Sequence, residues 1–125
     1  MKNIRFDRGN AAILYCIPKI GGDLACIIDI YTFVNRSAPP AFVDFQCCIT
    51  RAIHIGCVMA IGDKFRLTGD WHDTIHAADQ SAENEIESML LFEEYLLSRE
   101  WPVVRPEIVA LSESEYNRIL ASVKY

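Results

Sequence analysis

The sequence predicts a mainly α-helical domain with one small β-hairpin, and three observations carry that prediction. Apolar residues recur at helical spacing in several segments, most clearly over residues 24–34. Gly62-Asp63 separates two short runs of β-forming residues, which is a strong signal for a two-residue hairpin turn. The 125 residues are 51% hydrophobic and 23% charged, a composition that supports a packed core and excludes a disordered chain. We therefore expect a single domain over residues 1–125.

Two helices are predicted at the start of the chain. Residues 10–20 are short and apolar, which favours a helix, with a strand over 13–17 as the alternative. Asp23 is a suitable N-cap for a second, amphipathic helix that ends near Arg36. Pro39-Pro40 then prevents the helix from continuing, because proline lacks a backbone donor and restricts its predecessor.

A third helix and the hairpin complete the front half. The helix is expected over residues 41–56, and Gly56 supplies a left-handed stop at its carboxyl end. The hairpin follows over residues 57–68. Alternation along its second strand predicts an apolar inner face and a polar outer face: Phe65 and Leu67 against Lys64, Arg66 and Thr68.

The second half of the chain predicts three more helices. Residues 70–79 form a short one, and Ser81 caps a longer one over about 82–99. The apolar stripe of the longer helix is so wide that we expect it to be covered from two directions. Ser112 and Glu115 form a capping box for a final amphipathic helix.

Charge is distributed unevenly along the chain. Residues 1–68 contain eight cations and five acids, a net charge of +3, whereas residues 69–100 contain nine acids and only Arg99, a net charge of −8. Residues 101–125 sum to zero, which gives −5 for the whole chain. The total excludes a uniformly basic nucleic-acid coat protein, but the basic front half leaves a local DNA contact open.

Five cysteines, at positions 16, 26, 47, 48 and 57, predict a protein of the reducing cytoplasm rather than a disulfide scaffold. The spacing contains no C-x2-C pair of the kind that holds structural zinc. Neighbours on a helix point about 100° apart, so at least one of Cys47 and Cys48 is expected to be buried, with a redox pair as the alternative. Charged residues interrupt the most apolar stretch, residues 41–62, so no membrane span and no membrane partner are expected.

Three helices, the third ending in glycine and leading into a tight hairpin, resemble a winged helix-turn-helix domain over residues 10–68. The resemblance implies that helix 41–56 is a recognition helix and that hairpin 57–68 is the wing. It also implies that residues 69–125 form an acidic helical extension, where many members of that family dimerise. The residues that would contact nucleic acid are Gln46, Thr50, Arg51, His54, Lys64 and Arg66.

Few cations lie on helix 41–56, although base-edge contacts favour Arg, Lys, Asn and Gln. We therefore predict a non-enzymatic protein-interaction module that forms a homodimer, with Trp71 and Trp101 as anchors; a DNA-binding regulator is the alternative. A further alternative is that the acidic helix docks a basic protein partner. The expected interface residues are Met89, Leu90, Leu91, Phe92, Tyr95 and Leu97.

A metal-binding protein is a weaker alternative. His72 and His76 are four residues apart on one helical face, and Asp79 could join them. A Cys–His nucleophile pair could be drawn between His54 and one of Cys47, Cys48 or Cys57, but the sequence offers nothing to orient the base. Glycine-rich phosphate-binding motifs are absent. We therefore expect no enzyme activity and no cofactor.

Overall fold

A computed structural model describes residues 3–18, 20–104 and 110–122, apart from the side chains of Asp70 and His72. Within these residues the protein is mainly helical and has one two-stranded hairpin sheet, as the sequence predicted, together with a second, very short strand pair. The elements in chain order are β1 (Asn3–Ile4), α1 (Arg8–Tyr15), α2 (Leu24–Asn35), α3 (Phe42–His54), β2 (Val58–Ile61), β3 (Lys64–Leu67), α4 (Gly69–Ser81), α5 (Glu85–Leu97), β4 (Trp101–Pro102) and α6 (Glu113–Ser122).

The first helix starts earlier and ends sooner than expected. The Asp7 carboxylate accepts the Asn10 backbone N–H at 2.8 Å, and the Asn10 side chain accepts the Asp7 N–H at 3.2 Å. This reciprocal capping box fixes the amino end of α1, which ends at Tyr15. The alternative of a strand over 13–17 is therefore wrong.

The predicted ends of α2 and α3 are confirmed by their caps. Asp23 accepts the Cys26 backbone N–H at 2.9 Å, which satisfies one of the unpaired donors of the first turn. Arg36 follows α2 in the left-handed conformation, with φ of 51°. Gly56 has φ of 79°, so the residue type suits the stop that follows α3.

Strands β2 and β3 pair across Gly62-Asp63, which confirms the hairpin. Phe65 and Leu67 are buried, whereas Lys64 and Arg66 are exposed. The predicted alternation is therefore confirmed for residues 64–67, whereas Thr68 lies beyond the strand, is half-buried and donates from Oγ1 to the Gly56 carbonyl. One face of the hairpin joins the core, and its opposite face carries positive charge.

Gly22 pairs with the edge of β3 that does not face β2. The Gly22 backbone N–H donates to the Phe65 carbonyl at 2.9 Å, and its own carbonyl accepts the Phe65 N–H at 2.8 Å. A Cβ atom at position 22 would lie 3.0 Å from Cγ of Pro18. This close approach explains why glycine suits the position.

The boundary between α4 and α5 differs from the prediction. Ser81 is the last residue of α4 and does not cap the next helix. Asn84 is the cap, because its side chain accepts the Glu87 backbone N–H at 2.9 Å. Helix α5 packs against both α1 and α4, so the expected coverage from two directions is confirmed.

A polar cluster connects α1, α4 and α5. The Tyr15 hydroxyl lies 3.0 Å from Oγ of Ser88 and 3.2 Å from the Asp79 carboxylate, and Ser88 donates to the same carboxylate. Ser88 is buried, so these partners satisfy a hydroxyl that would otherwise be costly to bury. Burial also raises the pKa of Tyr15.

The two tryptophans expected to anchor a dimer pack against each other, with Trp71 buried and Trp101 half-buried. The rings of Trp71 and Trp101 are 4.7 Å apart, and Tyr95 lies within 6 Å of both. Nε1 of Trp101 donates to the Leu96 carbonyl at 2.9 Å, and Arg99 stacks over Tyr95. Strand β4 places Trp101 against β1, a pairing that the sequence did not predict.

One buried tyrosine holds α6 against α3. Oγ of Ser112 accepts the Glu115 N–H at 3.2 Å, which is one of the two hydrogen bonds of the predicted capping box. The Tyr116 ring lies 5.5 Å from Phe42 and 5.2 Å from Phe45. Its hydroxyl donates to the Pro40 carbonyl at 2.6 Å, and burial raises its pKa.

Throughout the described ranges, the helices fall short of the length and apolar character that crossing a bilayer requires.

We predict that two substitutions at Tyr116 separate its hydrogen bond from its packing. Tyr116→Phe should lower the free energy of unfolding by about 1 to 2 kcal/mol, because the Pro40 carbonyl loses its donor. Tyr116→Ala should lower it by about 3 to 5 kcal/mol, because the cavity left among the aromatic rings adds to the lost burial. Urea unfolding followed by circular dichroism measures both. Equal losses for the two variants would contradict the packing role.

Candidate functional sites

The outer face of α3 lines a surface cavity of about 800 Å³ that is open to solvent on one side. The other walls come from the amino-terminal segment around β1 and from the residues that follow β4. The Val104 backbone N–H donates to the His54 carbonyl at 2.8 Å and fixes that wall against the end of α3. The four α3 residues predicted to contact nucleic acid all line this cavity: Gln46, Thr50, Arg51 and His54.

Contacts within the chain already engage Gln46. Its Oε1 accepts the Leu111 backbone N–H at 2.8 Å, and its Nε2 donates to Oγ1 of Thr50 at 2.9 Å. A side chain held in this way has fewer donors and acceptors to offer a base edge. Gln46 therefore helps to shape the wall of the cavity.

Arg51 is the most accessible polar group of this wall, and His54 lies one helical turn further along α3. Arg51 is exposed and makes no ion pair with any side chain that the structure describes. Nε2 of His54 is buried and has no hydrogen-bond partner in the described part of the chain. The cavity wall thus presents one cation that forms no ion pair with a described residue, whereas the unsatisfied ring nitrogen is buried.

The two predicted hairpin contacts, Lys64 and Arg66, lie on the exposed face of β3. They border a shallow depression together with Ile20 and Ile61, whose exposed fractions are 90% and 51%. We call these four residues the hairpin patch. It combines apolar surface with two positive charges that form no ion pair within the described ranges.

The outer face of α5 has the opposite charge. Ile86 and Leu90 are one helical turn apart and are 72% and 58% exposed. Glu87 and Glu94 lie on the same side of the helix, and neither forms an ion pair with a described residue. We call these four residues the acidic strip.

The predicted interface residues divide between this surface and the core. Leu90 is exposed, whereas Phe92 is only 1% exposed and packs in the chain's own core. Phe92 was expected at the interface because the helical pattern did not show which side of the broad stripe faces inward. The remaining predicted residues are half-buried: Met89, Leu91, Tyr95 and Leu97.

The residues proposed for a metal site take different positions. Asp79 belongs to the polar cluster with Tyr15 and Ser88, and His76 is exposed on α4. The side chain of His72 lies outside the described part. Among the side chains that are described, no three His, Cys, Asp or Glu residues form a group suited to a metal ion.

The cysteines differ sharply in environment. Burial raises the pKa of Cys16 to about 12 and raises the pKa values of Cys48 and Cys57 as well. These buried thiols therefore remain protonated and unreactive at neutral pH. Cys47 is exposed, which confirms that one of the two adjacent cysteines is buried and the other is not.

The only exposed thiol of the predicted Cys–His pairs is poorly placed for catalysis. Cys47 and His54 lie seven residues apart on α3, which corresponds to about 10 Å along a helix axis. A base that activates a thiol must lie within about 3 Å of it. This spacing does not support a Cys47–His54 nucleophile pair.

No protein-family model, no curated protein and no solved structure matches this chain. The winged-helix resemblance and the functions attached to it therefore stay predictions.

We predict that a thiol reagent at a pH of about 8 modifies Cys47 in a fast phase, because its thiol is the exposed one. Cys16, Cys48 and Cys57 should react only after unfolding. Cys47→Ser should remove the fast phase, whereas Cys26→Ser should preserve it, and stopped-flow absorbance of the released thiol measures both. A fast phase that survives Cys47→Ser would contradict the burial pattern.

Proposed function

We propose that the protein is a non-enzymatic interaction module that works as a homodimer. The observation that supports this proposal most strongly is the pair of surfaces defined above, the hairpin patch and the acidic strip. Each surface has two exposed large aliphatic side chains beside two charges of one sign. Exposed apolar residues grouped in this way are typical of surfaces that contact another protein.

Charge favours pairing the hairpin patch of one copy with the acidic strip of the other. Two acidic strips facing each other would bring Glu87 and Glu94 close to the same residues of the partner, and like charges at an interface oppose binding. Lys64 and Arg66 have the charge opposite to that of the acidic strip. The exposed aliphatic side chains beside them, Ile20 and Ile61, can pack against those of the strip. A two-fold dimer would use each patch twice, once from each copy.

We predict that exchanging the charges weakens self-association and that mixing the variants restores it. One variant carries Lys64→Glu and Arg66→Glu, and the other carries Glu87→Lys and Glu94→Lys. Each alone should weaken the dimer by at least about tenfold, because exposed pairs worth up to about 1 kcal/mol each become repulsive. The equimolar mixture should dimerise like the unaltered chain, because both contacts are then complementary again. Sedimentation equilibrium measures all three samples.

The control variant reverses two charges outside both patches, Arg36→Glu and Arg118→Glu. It changes the net charge by the same amount as the Lys64→Glu, Arg66→Glu variant. Both arginines are exposed and lie outside the two patches. The control variant should dimerise normally. A native chain that stays monomeric at several hundred micromolar, or a mixture that stays monomeric, would overturn the proposal.

DNA binding through α3 and the hairpin is the second candidate function. It is favoured by Arg51, Lys64 and Arg66, three exposed cations without ion pairs among the described residues. These residues lie on the elements that correspond to the recognition helix and wing in the winged-helix resemblance. The engaged amide of Gln46 and the −8 charge of residues 69–100 make this candidate weaker.

Arg51→Ala separates the two candidates, because Arg51 belongs to neither patch. If the protein binds duplex DNA, affinity should fall steeply with salt and should weaken with this substitution. If the protein acts by self-association alone, Arg51→Ala should leave the dimer unchanged, and duplex DNA should not bind at physiological salt. Fluorescence anisotropy of a labelled random-sequence duplex, measured beside sedimentation, distinguishes these outcomes.

A further inference from the structure

We propose that the cavity beside α3 binds a small organic acid, with its carboxylate on Arg51 and Thr50 and its apolar body against Ile4, Val103 and Val104. This site is independent of the hairpin patch and of the acidic strip. In this proposal the outer face of α3 contacts a small molecule, whereas in the DNA-binding alternative the same face contacts base pairs.

The size and construction of the cavity fit a bound small molecule. Its volume of about 800 Å³ lies within the range of small-molecule sites in proteins. Its walls come from both ends of the chain and from α3, and they are held in place by backbone contacts. Strand β1 pairs with β4, and the Val104 N–H donates to the His54 carbonyl.

The positive charge of the cavity is concentrated on one side chain. Arg5 also lines the wall, but its guanidinium lies 3.3 Å from the Glu100 carboxylate, which compensates its charge. Arg51 forms no ion pair with a described residue. A guanidinium binds a carboxylate through two parallel hydrogen bonds, so Arg51 is the group that would select an anion.

Two further α3 side chains complete the polar end of the cavity. Oγ1 of Thr50 accepts a hydrogen bond from Gln46, so its own proton can be donated to a ligand oxygen. Nε2 of His54 lacks a partner within the described ranges. Because this nitrogen is buried, it would pair with a bound carboxylate only if the ring turned toward the cavity with the proton on Nε2.

The rest of the lining decides the class of ligand. Ile4, Val103 and Val104 supply apolar surface, which would not compensate a second charge on the ligand. A single carboxylate attached to a compact apolar body therefore matches the cavity better than a phosphate ester, which carries more charge and needs more donors.

Phenylacetate tests this proposal, with phenylacetamide and phenethylamine as neutral and cationic probes of the same shape. Amide NMR shifts of the full chain report the affinity and the location of each probe. We expect phenylacetate to shift α3 resonances at residues 46–54 and to bind at least about tenfold more tightly than either control. It should also slow the modification of Cys47, which lines the cavity.

Arg51→Gln should weaken phenylacetate binding by about tenfold or more, whereas Arg36→Gln on α2 should leave it unchanged. Both arginines are exposed, so neither substitution removes a buried side chain. Unchanged amide resonances away from α3 would show that each variant keeps the fold. The proposal is overturned if phenylacetate and phenylacetamide bind equally, if the shifts lie outside the cavity, or if Arg51→Gln binds as tightly as the unaltered chain.

Discussion

Burial of the inner face of α3 determines which of its side chains can meet another molecule. Phe45, Cys48, Ile49 and Ala52 are almost completely buried among α1, β2 and α6, and each large apolar group buried in this way contributes about 1.5 to 3 kcal/mol. The opposite face must then point outward, with Arg51 among its residues. Helical periodicity thus links the stability of the core to the composition of the cavity wall.

Most charged side chains of the described residues lie apart from a charge of opposite sign. Only two ion pairs link described residues, Arg5 with Glu100 and Arg8 with Glu93, and both connect the amino-terminal segment to the acidic half. The charges of the hairpin patch and the acidic strip stay uncompensated within one molecule. Because exposed ion pairs contribute little to the stability of a monomer, this separation has more consequence for association than for folding.

Local patterns predicted the local structure well, and they could not predict contacts between distant segments. Asp23, Gly56 and the Gly62-Asp63 turn act within a few residues, and each was confirmed. The pairing of β1 with β4 joins segments almost 100 residues apart, and no local sequence pattern predicts it. The outer face of α3 could therefore be derived from helical spacing, but the cavity could not, because its other walls come from those distant strands.

The salt dependence of self-association tests the central claim most directly. Sedimentation equilibrium of the unaltered chain should show a dimer at low ionic strength whose dissociation constant rises as salt is added, because the two patches attract through exposed charges that salt screens. A chain that is monomeric under all conditions would contradict the account. A dimer that becomes tighter with salt would contradict it as well, because that behaviour indicates an apolar contact between surfaces of like charge.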